Sequence, residues 1–575
     1  MTPDEIEAFR LHREKLTRLV AKTEGLLEVG KTPEEVRVML IQEGFEADVV
    51  AEAIAAVTDG FTGSIKTSPD VEKIRASLWK ISQEPKMSPT ERNRAISDAV
   101  VAWLHTRGRF YHRSEYPEFA GVMYFDSARK LLLPVQSDAF QAWLADCLAM
   151  NRSERSYIFV QSACETEGLS PRSTGIEPST FWASSPTAFY LSNGPGHMAK
   201  ITAENVEIVD NGTDEILFPF GATLARWDLT GPVDPFEACE LFRSLSTTAP
   251  HGRDLFKLWV CSLPSNQRTK PPLVLSGTVG SGKTRLIRGV FELYGMPPRV
   301  ASVLKNGDVD FWAAMDAGGL ACFDNADTKV DWLADALAAA ATAGTHEKRK
   351  LYTDSDCISL KARSWVCITS SSPSFASDPG LSDRIIVVRL DRRVGQTAET
   401  VLSDEIAACR DAGLSWICWT LATALAETAP VQTGLNARHP DFASLAVRIG
   451  RALNIEARAV AALQAAEADK ALFNLENDWI GNVLLELLKA GPFSGTAAEM
   501  LEALIEVDPS LAGKLSTKRL SLRLQKMWPH IENICSGISE IVHGGVKKYT
   551  LGELTGDSGD SKVALSINPL TRENI

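Results

Sequence analysis

The sequence contains no apolar run near the ~18 residues of a membrane-spanning helix, which excludes a helical membrane protein. Its start, MTPDEIEAFRLHREKL, lacks the apolar stretch of a secretory signal, so a cytoplasmic protein is expected. No CxxC pair occurs among the ten cysteines, which stand singly at 147, 164, 239, 261, 322, 357, 367, 409, 418 and 535. Neither a disulfide framework nor a thiolate zinc site is expected from that spread. The nine histidines show no ligand spacing either. An excess of positive charge is also missing, since 60 Lys and Arg face 73 Asp and Glu for a net charge of −13. That excludes a protein coating nucleic acid with its whole surface, but not one that touches it through local basic patches.

What is present is 575 residues of globular texture, 45% hydrophobic and 23% charged, enough for about three to five domains. Residues 1–62 read as a helical N-terminal region, with a capping spacing and first-turn proline at Thr32-Pro33-Glu34-Glu35. Residues 63–108 read as a helical linker segment in which Ser88-Pro89-Thr90-Glu91 opens a helix carrying Ile96, Val100 and Leu104. From 109 to 235 short apolar runs (RFYHR, VMYFD, KLLLPV, SYIFVQ, AFYLS, VEIVD, EILFPF) are separated by turn residues, and one helix, SDAFQAWLADCL, is inserted. Residues 236–395 alternate helical patterns with strands apolar on both faces (PLVLSG, GLACFD, WVCITS), as a parallel sheet between helices requires. A helical region at 396–490, a small domain at 491–552 and a disordered tail at 553–575 complete the reading.

Gly277-Thr278-Val279-Gly280-Ser281-Gly282-Lys283-Thr284 fits GxxxxGK[ST] between a strand and an amphipathic helix. Such a loop turns backbone N–H groups onto phosphate oxygens at a helix N-terminus. Lys283 would reach the β/γ-phosphates of ATP, and Thr284 would ligate Mg²⁺. Gly319–Asp324 is an apolar strand ending in a carboxylate suited to the metal's water shell. Asn325 follows, where many ATPases place a glutamate base, so either Asn325 orients the attacking water or Asp327 takes the base role. The strand from Ser364 ends in hydroxyls, of which Thr369 is the candidate for the γ-phosphate or the water. Arg384, just before the next strand, is placed to stabilise transition-state charge across a subunit boundary, with Arg389, Arg392 and Arg393 in reserve.

These four elements, with FDNADTKVDWLADALAAAATAGTHEKRKLYTD, VCITSSSPSF and LSDRIIVVRL, resemble an AAA+ ATPase. More narrowly, the region is similar to the superfamily III-like helicase ATPases of phage, plasmid and integrated-element replication proteins, the primase-helicase type. The downstream RHPDFASLAVRIGRALNIEARAVAAL is similar to their helical region. No CHC-type zinc cluster and no acidic catalytic motif supports a primase site, so a primase would be a separate protein. The resemblance implies a multidomain α/β fold: a P-loop AAA+ core of parallel sheet flanked by helices, with the strand-rich domain before it. It also implies that Lys348, Arg349, Lys350 and Lys361 lie on a hairpin projecting into a central pore and gripping DNA phosphates.

Near the C-terminus, Lys514, Lys518, Arg519, Arg523, Lys526, Lys547 and Lys548 outnumber the acids of Leu511–Thr550. A helix expected to be capped by Thr517, with Leu520, Leu524, Met527 and Trp528 facing inward, and strands around Gly544-Gly545 outline a winged-helix-like domain whose Lys518, Arg519, Arg523, Lys547 and Lys548 would meet DNA. Phe110, Tyr111, Tyr116, Phe119, Tyr124 and Phe125 fit core packing better than base stacking. The expected activity is ATP-driven translocation on, or unwinding of, single-stranded or forked DNA by a homo-oligomer, a hexameric ring, in a bacterial or phage-infected bacterial cell. The rival from another class is a regulatory or defence AAA+ ATPase whose nucleotide cycle drives assembly. A small-molecule kinase fits poorly with so many accessory domains.

Overall fold

The computed structural model describes residues 19, 22, 23, 33–42, 45, 50 and 69–554, except 115–120, 250, 298–299, 303–307, 328–329, 350–356, 393–394, 396, 432–436 and 544–545. Most of the expected N-terminal region, Arg393, Lys350 and the tail beyond 554 lie outside the described residues. The chain divides into two units, Met1–Pro178 and Ser179–Ile575.

In the first unit, helices α1 (Pro33–Gln42), α2 (Pro69–Ser82) and α3 (Pro89–Arg107) come before strands β1 (Gly108–Arg113), β2 (Val122–Asp126) and β3 (Leu131–Pro134). Helices α4 (Asp138–Leu148) and α5 (Arg155–Gly168) and strand β4 (Thr174–Ile176) follow. The capping box expected at Ser88 is made, with Ser88 Oγ accepting from Glu91 N and Glu91 accepting from Ser88 N. The sheet order is β3-β2-β1-β4, antiparallel except for β1 and β4. Trp103, Tyr124, Phe140 and Trp143 pack in its core, so Tyr124 is structural, as expected. SYIFVQ, read as a strand, lies instead in α5: Tyr157, Val160 and Cys164 are buried at helical spacing, a period that a run of four apolar residues does not reveal by itself.

The second unit opens with an antiparallel meander of β5 (Trp182–Ser184), β6 (Phe189–Ser192), β7 (His197–Ile201) and β8 (Val206–Asp210). The stretch 109–235, expected as one domain, therefore holds two separate four-stranded sheets that fall in different units. EILFPF is a loop, not a strand. The Asn211 side chain takes both backbone groups of buried Phe218, at 2.9 and 3.0 Å, and so does the work of a neighbouring strand.

Helices α6 (Pro235–Ala238), α7 (Glu240–Arg243) and α8 (Gly252–Ser262) lead into a five-stranded parallel sheet. Its strands are β9 (Leu273–Gly277), β10 (Val300–Ser302), β11 (Leu320–Asp324), β14 (Trp365–Ser370) and β15 (Ile386–Leu390), in the order β10-β11-β14-β9-β15. Helix α9 (Lys283–Tyr294) follows β9, α10 (Val309–Asp316) follows β10, and α11 (Leu333–Ala341) follows β11. The hairpin of β12 (Thr345–Arg349) and β13 (Cys357–Lys361) comes before β14, and the single-turn α12 (Pro379–Ser382) comes before β15. Both faces of the sheet are covered: Leu273, Leu275, Cys322, Cys367 and Val388 belong to one core, and Val274, Ala321, Phe323, Val366 and Ile368 to the other.

Helices α13 (Glu399–Ala426), α14 (Pro440–Ala452), α15 (Glu456–Glu476) and α16 (Trp479–Ala490) follow. The C-terminal module contains β16 (Phe493–Thr496), α17 (Ala497–Val507), α18 (Thr517–Ile534), β17 (Ser539–His543) and β18 (Val546–Leu551), with sheet order β16-β18-β17. Leu520, Leu524 and Met527 of α18 are buried as expected, but the cap is Ser516, whose hydroxyl accepts from Arg519 N, and not Thr517.

Candidate functional site

The glycine-rich loop joins the C-terminal end of β9, between β14 and the edge strand β15, to α9. Gly280 and Gly282 have φ of 83° and 84°, a left-handed backbone that side chains resist. Val279 at the tip is 83% exposed. Helix α9 starts at Lys283, so its unpaired N-terminal N–H groups face the loop.

Lys283 is buried and, among the described residues, its hydrogen bonds go to its own loop. Its Nζ donates to the carbonyls of Gly277 at 2.7 Å and Thr278 at 3.0 Å, and reaches Ser281 Oγ at 3.5 Å. Burial lowers its pKa, while Asp327 and Asp324 act in the opposite sense. The fixed ammonium is thus held by neutral oxygens, which is the chemistry of a cradle that takes an anion. The residues present fit a triphosphate.

Three strands bring the polar groups together. Thr284 Oγ1 donates to Asp324 Oδ1 at 2.7 Å. Thr369, fully buried on β14, donates its hydroxyl to the same carboxylate oxygen. Asn325 N in turn donates to Thr369 Oγ1 at 3.0 Å, and Asn325 Nδ2 to Asp324 Oδ2 at 3.3 Å. Thr369, expected at the γ-phosphate or the attacking water, is placed here against the Asp324 carboxylate. Asn325 is exposed, with φ of 53°. Thr284 and Asp324 supply the hydroxyl and carboxylate that Mg²⁺ accepts while keeping most of its water. Among the described residues no group of three or more His, Cys, Asp or Glu could hold a metal.

Asp327 is tied down. It accepts from the hydroxyls of Ser370 and Ser371, both at 2.6 Å, and from the N–H groups of Ser371 and Ser372. Burial alone would raise its pKa, but these donors pull it down to about 2, leaving a poor proton acceptor. Beside the loop, Leu241, Leu245, Leu286, Ser246 and Asp391 line a shallow hollow with Ser281 and Gly282.

Arg384 is half-buried and donates to the Gly380 carbonyl, and its Nε has no hydrogen-bond partner among the described residues. Asp383 pairs with Arg438 at 3.7 Å. Of the reserve arginines, Arg389 is committed to Asp469 and Glu476 on α15, whereas Arg392 is exposed. The β12–β13 hairpin sets Lys348 opposite Ile358 and Arg349 opposite Cys357. In the C-terminal module Lys518, Arg519 and Lys548 are exposed. Arg523 and Lys547 are not the free contacts expected: Arg523 pairs with buried Asp478, and Lys547 with Glu540 at 2.6 Å. Among the described residues no helix is long and apolar enough to cross a membrane.

Sequence reasoning located the loop, Asp324 and Thr369 but missed the serine cage around Asp327. The run of hydroxyls in SSSPSF was its only visible trace.

Residues 244–472 match the family model of the actinomycete integrative conjugative element replication protein. No curated protein matches. Two solved apo structures of the NrS-1 C-terminal region are similar at low identity. One has 10% identity and a TM-score of 0.36, covering 79% of this chain and 98% of that chain. The other has 9% identity and a TM-score of 0.34, covering 78% of this chain and 97% of that chain.

Proposed function

We propose that the chain is the ATP-hydrolysing replication protein of a mobile genetic element, a ring-forming AAA+ ATPase of superfamily III helicase type that moves on DNA. The observation carrying this is the convergence of Lys283, Thr284, Asp324 and Thr369 at the C-terminal ends of three adjacent parallel strands, β9, β14 and β11. The strand order β10-β11-β14-β9-β15 supports it, because β14 lies between the loop-bearing β9 and the carboxylate-bearing β11, which lets Thr369 at its end reach Asp324. The match of 244–472 to a replication-protein family supports the setting.

In this reading the loop N–H groups and Lys283 bind the β- and γ-phosphates. Thr284 and Asp324 hold Mg²⁺, which supplies charge neutralisation at the phosphates. Thr369 fixes the Asp324 carboxylate. Asn325 commits its Nδ2 to Asp324, and its amide oxygen is left to accept from the attacking water. Arg384 of one subunit stabilises transition-state charge in its neighbour. DNA contacts fall to the β12–β13 hairpin and to Lys518, Arg519 and Lys548.

ATP turnover with and without single-stranded DNA at low salt tests the proposal. Wild-type protein should hydrolyse ATP and be stimulated by DNA, and Lys283→Ala should lose hydrolysis by at least about 100-fold. Hydrolysis indifferent to DNA would favour the regulatory ATPase instead.

A further inference from the structure

Arg384 sits on backbone that later helices hold in place. Lys470 Nζ, on α15, donates to the Asp383 carbonyl at 2.7 Å, and His439 Nε2 lies 2.9 Å from the Arg384 carbonyl. One turn along α15, Asn474 Nδ2 donates to the Ala376 carbonyl at 2.9 Å. All three side chains are buried. His439 Nδ1 is buried without a partner among the described residues, which fits a neutral ring with Nε2–H the donor. The post that carries Lys470 is itself fixed. Asp469 and Glu476 of α15 grip Arg389 on β15, and Asp478, just beyond the helix, receives Arg523 Nε at 2.8 Å. The Lys470 charge is met by both oxygens of Glu467 at 2.8 Å, so the ammonium is compensated locally while it donates to a carbonyl. By contrast, among the described residues the Arg384 guanidinium has an unbonded Nε and a bond to one carbonyl.

We propose that Lys470 is a positioning residue for ATP hydrolysis: by holding the Asp383 carbonyl, with His439 on the next carbonyl, it sets the direction in which Arg384 is offered to the neighbouring subunit. This rests on the reading of Arg384 as the arginine that completes the next site. A side chain acting through Arg384 affects the transition state and not ground-state binding, so its loss shows in kcat and not in KM.

The experiment measures steady-state ATP hydrolysis of the full chain as Lys470→Met, Lys470→Arg, Arg384→Ala and the double variant Lys470→Met/Arg384→Ala. Lys470→Met should lose about tenfold in kcat with KM within about twofold, and Lys470→Arg, which can still donate, should regain most of it. The double variant should be no slower than Arg384→Ala alone, since both changes remove one effect. A further fall in the double variant, or a loss confined to KM, would overturn the proposal by showing a role apart from Arg384. Full activity of Lys470→Met beside a dead Arg384→Ala overturns this proposal alone, whereas full activity of Arg384→Ala overturns the functional reading with it. Should Lys470→Met fail to fold, His439→Leu and His439→Gln test the same clamp. The leucine should lower kcat and the glutamine, which keeps a donor, should not; equal rates overturn the proposal.

Discussion

Asn325 stands where a carboxylate base is common, and its neighbours define what it can do. Its backbone N–H and side-chain Nδ2 are both committed, to Thr369 and Asp324. Asn325→Ala should lower kcat by about 100-fold and change KM little, because the hold on the attacking water proposed for it would matter mainly in the transition state. Steady-state kinetics check this, and a change confined to KM would remove Asn325 from the role. At His439 the prediction concerns pH. Burial lowers the ring's pKa to about 4, although the Arg384 carbonyl it bonds acts in the opposite sense. The unfolded chain takes up this proton near pH 6.5 and the folded chain only near 4, so the stabilisation is intact above about pH 6.5 and is lost as pH falls toward 4. By pH 5 this one group costs about 1–2 kcal/mol. Chemical denaturation of the wild type and His439→Gln at pH 7.5 and pH 5 should show a smaller pH effect in the variant.

At the scale of elements, two joints matter. Asp478 is 1% exposed, caps α16 by accepting from Ile480 N and Gly481 N, both at 2.9 Å, and receives Arg523 from α18. Asp478→Ala removes the cap and leaves the arginine facing an empty place, which should cost about 2–4 kcal/mol in denaturant unfolding. The hairpin of β12 and β13 is the other joint. The triple change Lys348→Ala/Arg349→Ala/Lys350→Ala should keep most basal hydrolysis and lose DNA stimulation. It should also flatten the salt dependence of binding by about one log–log unit for each phosphate no longer neutralised. If basal hydrolysis vanishes as well, Arg349 belongs to the nucleotide site. The elements also show where sequence reading succeeds. PLVLSG, GLACFD and WVCITS read as buried parallel strands because strands covered on both faces are continuously apolar. SYIFVQ is equally apolar and became a helix, and EILFPF became a loop fastened by Asn211, since short apolar runs do not carry their own period.

At the scale of the whole molecule, the glycine-rich loop was legible because it is a pattern of eight consecutive residues, whereas the contacts that hold the backbone at Arg384 were not. Lys470 and the carbonyl it holds are 87 residues apart, and no local pattern marks either. The same holds for Arg523, which reads as a basic surface residue until Asp478 is seen beside it 45 residues away. On this reading a working ATPase site needs two subunits. Mixing Lys283→Ala protein with Arg384→Ala protein tests that requirement most directly, because each variant alone lacks one half of every site. In a mixed ring some boundaries would pair an intact Lys283 with an intact Arg384. ATP hydrolysis of the mixture should therefore rise well above that of either variant alone. A mixture no more active than its inactive components, with both variants folded and assembled, would contradict the two-subunit site.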